Sequence, residues 1–98
     1  MQIYKGPYKT TKAVEAAAAE QDAGKEVIFI VPEASWVNHL YPLFVETLDM
    51  SRVIVYTQGQ VMLARGTTAS IIAEDLHLWN FEHVQELYSL PVVFATSR

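Results

Sequence analysis

Apolar residues fall along this chain in two alternating kinds of run. Val27-Ile28-Phe29-Ile30-Val31 is unbroken and rich in β-branched side chains. Such a run predicts a strand buried on both faces, as in a parallel sheet. Arg52-Val53-Ile54-Val55-Tyr56, Ser70-Ile71-Ile72-Ala73 and Val92-Val93-Phe94-Ala95 are shorter runs of the same type. Residues 2–5 predict a fifth, weaker strand, because Gln2 and Lys5 interrupt its apolar character.

Between these runs the spacing changes to the helical period. Residues 12–23 are Ala-rich, with Thr11 as a candidate N-cap and Gly24 placed to end the helix. Val37, Leu40, Phe44 and Leu48 repeat at helical spacing, with Pro42 inside, so this helix is kinked at Pro42 or starts near it. Residues 58–65 predict a short helix. Asn80 is a candidate cap for a helix carrying Phe81, Val84, Leu87 and Tyr88 on one face, and Pro91 stops it. Strands alternating with amphipathic helices predict a single α/β domain over residues 1–98. Its form is a three-layer sandwich, with a mostly parallel sheet of about five strands and helices on both faces.

Composition narrows the functions open to such a domain. Seven Lys and Arg against eleven Asp and Glu give a net charge of −4. Nucleic-acid binding rests on neutralising phosphates, so nucleic acid is not expected as a partner of this chain alone. The cluster Lys5, Lys9 and Lys12 remains able to bind one anion. With no cysteine there is no disulfide, thiolate metal site or Cys nucleophile. No run reaches membrane-spanning length, and the N-terminus lacks the apolar stretch of a signal peptide. A soluble cytoplasmic protein is the expectation. His39, His77 and His83 show no metal-ligand spacing.

Two segments carry candidate chemistry. Gly6-Pro7-Tyr8-Lys9-Thr10-Thr11-Lys12-Ala13 follows the first strand, where a P-loop would wrap phosphates with backbone amides, a Lys and a magnesium-binding hydroxyl. Matching Gly6 and Lys12 keeps the loop length but puts Thr11 in place of a glycine and Ala13 in place of the hydroxyl. Matching Lys9-Thr10-Thr11 keeps the Lys and hydroxyl but puts Tyr8 in place of a glycine and shortens the loop by three residues. A strand-turn-helix junction with solvated lysines competes with both. Glu74-Asp75 closes the fourth strand, where P-loop enzymes hold magnesium and orient the attacking water. A polar strand end leading into a helix N-terminus competes with that role. Hydroxyls at the end of the fifth strand, as in Thr96-Ser97, can sense a γ-phosphate or couple the site to a partner; an ordinary polar C-terminus competes with both.

Read in order, the chain resembles a miniature first motor domain of DEAD/DEAH-box helicases and related P-loop ATPases. Gly6-Pro7-Tyr8-Lys9-Thr10-Thr11 resembles their phosphate-binding motif. Val31-Pro32-Glu33 resembles the end of their second strand, and Thr57-Gln58-Gly59-Gln60-Val61 with Arg65 their Thr-x-Gly turn and following helix. Glu74-Asp75-Leu76-His77 is similar to Asp-Glu-Ala-His, and Ala95-Thr96-Ser97 to Ser-Ala-Thr. The resemblance implies ATP and magnesium. Gly6, Lys9, Thr10, Thr11, Lys12 and Thr96 would contact nucleotide, Thr10 and Asp75 the metal, and Glu74 and Asp75 would serve catalysis.

It also implies a central first strand. The chain departs by its brevity, its Glu-Asp order and the lack of a second motor domain with its arginine finger, which excludes unwinding by this chain alone. Such trimmed forms resemble products of small mobile genomes such as phages. The expectation is therefore a degenerate P-loop-like domain that binds a protein partner and, weakly, a nucleotide. An active small ATPase or nucleotide kinase, a helicase-like ATPase subunit, and a ligand-free interaction module are the alternatives. The last would use Tyr4, Tyr8, Trp36 and Tyr41 as anchors, and homo-oligomers are compatible with any of them.

Overall fold

The computed structural model describes residues 1–98. Five strands, β1 (Gln2–Tyr4), β2 (Val27–Val31), β3 (Val53–Thr57), β4 (Ser70–Ala73) and β5 (Val92–Thr96), form one sheet in the order β1-β5-β4-β2-β3. Every neighbouring pair is parallel. Three α-helices, α1 (Lys9–Asp22), α2 (Trp36–Thr47) and α3 (Phe81–Leu87), and a 3₁₀ segment over Gln58–Ala64 connect them.

The uninterrupted apolar run of β2 makes sense in this setting, because both sheet faces are covered. All five of its residues are buried. Val27, Phe29 and Val31 join Ile72 and Phe94 beneath α1 and α2. Ile28 and Ile30 join Ile71, Ala73 and Ala95 beneath the 3₁₀ segment and α3. The result is the expected three-layer sandwich. The chain steps across the sheet from β1 to β3 with its helices on one face and returns through β4 to β5 with its helices on the other, as right-handed crossovers require.

One placement differs from the resemblance. β1 is an outer strand, not a central one, and pairs only with β5. Solvent lies along its free edge, so three residues with exposed Gln2 and Ile3 suffice.

The helix boundaries also shift. α1 begins at Lys9, not residue 12, because Tyr8 takes the left-handed conformation (φ 58°) and turns the chain sharply into the helix. Thr11 is therefore inside the first turn, and α1 has no side-chain cap. At the other end Gly24 (φ 85°) closes a Schellman motif, with Gly24 N–H donating to Gln21 O at 2.9 Å and Lys25 N–H to Glu20 O at 3.0 Å. Buried Ala13 and Ala17 let α1 lie close to the sheet. α2 runs unbroken through Pro42, whose missing donor falls on its exposed side.

In α3 only Val84 and Leu87 turn inward. Phe81 and Tyr88 are exposed, against expectation. The buried stripe is rotated because Gln58 holds the start of the helix: Asn80 N–H donates to Gln58 Oε1 at 2.7 Å, and His83 Nδ1 lies 2.9 Å from the same oxygen. Gln58 Nε2 also donates to Pro32 O at 3.3 Å. The Thr57-Gln58-Gly59-Gln60 stretch thus acts as an internal clamp. Its own helical start is closed by Thr57 N–H donating to Gln60 Oε1 at 3.0 Å.

Candidate functional site

In an open parallel sheet, ligands bind beyond the C-terminal strand ends, where neighbouring connections leave to opposite faces. Here β2 leads to α2 on one face, and β4 leads to α3 on the other. Glu74 and Asp75 follow β4 directly at this point.

The two carboxylates face different surroundings. Glu74 N–H still donates to Ile30 O at 2.9 Å, so the residue extends the sheet. Strand alternation then puts its side chain on the Ile72 face, beneath α1. Glu74 is fully buried, and no well-aligned hydrogen bond reaches either carboxylate oxygen. Burial pushes its pKa up to about 7, and the Asp75 charge adds to the rise. The Thr96 hydroxyl and the Lys9 ammonium act the other way.

Asp75 turns out of the sheet in the left-handed conformation (φ 53°). Its N–H donates to Thr96 Oγ1 at 2.8 Å, and its Oδ2 accepts from Trp36 Nε1 at 2.8 Å. Trp79 Nε1 donates to the Glu74 carbonyl at 2.8 Å. Trp36 and Trp79 are thus organisers of the acidic pair that motif matching does not reveal. The available signal was chemical: a half-buried indole N–H needs an acceptor, and two indoles flank one carboxylate pair.

The loop between β1 and α1 spans four residues, Lys5 to Tyr8. Its interior is taken by Tyr4. The ring stacks on Phe94 with centroids 6.3 Å apart, and Tyr4 Oη donates to Pro7 O at 2.7 Å. A Cβ on Gly6 would stand 2.6 Å from Tyr4 Oη. Gly6 therefore makes room for a tyrosine of its own chain. The substitution Gly6→Ala should displace that ring, break the Pro7 bond and cost about 1 kcal/mol, read as a lowered urea midpoint.

The two loop alignments land differently. Lys12 lies a turn into α1 and pairs with Glu15 at 3.7 Å on the exposed surface. Lys9, Thr10 and Thr11 form the first turn of α1, and no group of the chain accepts a hydrogen bond from their three amides. Such free amides at the positive end of a helix dipole favour negative charge nearby, and Lys9 is close enough to Glu74 to lower that pKa.

Thr96 is buried; its Oγ1 accepts from Asp75 N–H, which leaves its O–H to favour the charged form of Glu74. No three His, Cys, Asp or Glu side chains converge to cage a metal. Magnesium at Thr10 and Asp75 would therefore depend on substrate phosphates for most of its ligands.

The one cavity, of about 300 Å³, lies at the other end of the sheet. Gly24, Lys25, Glu26, Thr68 and Ala69 line it, just before β2 and β4. No helix is long and apolar enough to cross a membrane. No family model, curated protein or solved structure matches the chain. The architecture is that of a generic P-loop-like α/β domain and singles out no family.

Proposed function

We propose that this domain works by binding rather than by phosphoryl transfer. The first turn of α1 receives an anionic group, such as a nucleotide phosphate held weakly through the amides of Lys9, Thr10 and Thr11 and the Lys9 ammonium. The burial of Glu74 supports this most. A carboxylate sealed from solvent cannot orient an attacking water, and its neighbour Asp75 is already engaged by Trp36. The short, tyrosine-filled loop further removes the amide cradle on which efficient transfer depends. A protein partner belongs to the same proposal. Tyr8, 79% exposed and next to the free amides, offers an aromatic anchor beside the anion-receptive turn.

Calorimetric titration with ATP, with and without magnesium, tests it. A dissociation constant on the order of 1 mM is expected, with about tenfold weakening in Lys9→Ala. Phosphate release should not exceed background. The absence of heat at millimolar ATP would remove the nucleotide part. Phosphate release abolished by Lys9→Ala and by Asp75→Ala would establish a small NTPase instead.

A further inference from the structure

The two edges of the sheet are guarded unequally. β1 is three residues long, and Lys5 follows it. β3 is five residues long, and no strand pairs with its outer edge; only its end amides are tied, Val53 N–H to Met50 O and Thr57 N–H to Gln60 Oε1. Natural edge strands are blunted by charge, proline, bulges or covering elements. Val53 to Thr57 contains none of the first two, and its pairing with β2 runs without a bulge.

The element beside this edge is equally bare. Leu40 and Phe44 point α2 into the core. At 100° per residue, Trp36 and Leu43 lie on one flank of that stripe and Tyr41 and Val45 on the other. Trp36 reaches across to Asp75 at the end of β4, so its flank faces the sheet centre. The Tyr41–Val45 flank therefore overhangs the free edge of β3. Tyr41 is 55% exposed, Val45 54%, and Ile54, on the other face of β3, 45%.

We propose that a second copy of this chain covers this edge, pairing β3 with β3 antiparallel about a two-fold axis near Val55. In that register Ile54 lies opposite the partner's Tyr56, and Val53 opposite the partner's Thr57. These are β-branched and aromatic pairings of the kind that stabilise antiparallel strands.

Charge selects a second copy as the occupant. Two chains of net charge −4 repel over most of their surface. Residues 53–64 hold no Asp, Glu, Lys or Arg, and neither do residues 34–45. The edge and its overhanging helix thus form a surface on which identical acidic chains meet without like charges opposed. Tyr41, Val45 and Ile54 expose roughly 300 Å² per copy, a substantial part of the ~800 Å² per side that a stable interface buries, with the strand backbone adding to it. The interface is isologous, so it closes at two copies and propagates no further.

Sedimentation equilibrium of the full chain tests this. At about 100 μM the wild type should show twice the 11.0 kDa chain mass. Ile54→Lys and Tyr41→Glu should each raise the dimer dissociation constant at least about tenfold, with far-UV circular dichroism unchanged. A wild type that stays at 11.0 kDa, or a dimer that survives both substitutions, overturns the proposal. The cysteine-free chain allows a second measurement that does not depend on those variants folding. Under mild oxidation Val55→Cys should crosslink two copies faster than Gln2→Cys on the opposite edge. Equal rates, or the reverse order, overturn it.

Discussion

Raising the pH from about 5 to about 8 should remove on the order of 3 kcal/mol of folding stability through Glu74 alone. Its carboxyl holds a proton up to a pKa of about 7 in the folded chain, against 4.5 for an ordinary Glu. Below 4.5 both states are protonated and the contribution is whole. Between 4.5 and about 7 the folded state keeps the proton that the unfolded state has released, so stability falls as pH rises. Above about 7 the fold carries a buried charge whose burial and Asp75 neighbour outweigh the help of the Thr96 hydroxyl and the Lys9 ammonium.

Glu74→Gln has no proton to lose. Urea unfolding across this range should find the variant close to wild type near pH 5 and more stable by about 2–3 kcal/mol near pH 8. Subtracting one curve from the other removes the titration of the remaining carboxylates. A difference that is constant with pH would mean that Glu74 is already ionised and partnered in the native state.

Phe44→Ala should be the most damaging single change in the core, at about 3–5 kcal/mol. Phe29 and Phe44 are fully buried, with ring centroids 4.6 Å apart, where α2 meets β2. Removing one ring leaves the other facing a void, and β2 has no slack to close it because it is paired on both sides. A domain of this size has only about 5–15 kcal/mol in total, so the loss is a large share of it. Phe81→Ala is the control: at 76% exposure it should cost less than about 0.5 kcal/mol. Urea midpoints of the two variants, measured side by side, separate a ring that holds the fold from a ring that does not.

How far the sequence was legible depended on how local each cause is. The β2 run announces a doubly covered strand because continuous apolarity has few other solutions. Gly24 announces the end of α1 because a positive φ is what that position needs. The sheet's strand order is less local. β1 sits at the edge because its partner is β5, almost the whole chain away, and only Gln2 and Lys5 hinted at an outer position.

The site shows the same division. Glu74-Asp75 stands out as a pair, but which carboxylate is sealed follows from strand alternation and from what α1 covers. The role of Gly6 was hidden, because its neighbour is the ring of Tyr4 and not a ligand. Thr11 matched a capping preference that the left-handed turn at Tyr8 overrode.

The pairing of β1 with β5 alone also bears on synthesis. As the polypeptide leaves the ribosome, residues 2–4 have nothing to zip against until residues 92–96 have emerged. Until then Tyr4 lacks Phe94 to lie on, and the Asp75 amide lacks the Thr96 hydroxyl. A nascent chain halted before Val92 would carry its three α-helices with β2, β3 and β4, and β1 would have no strand to join.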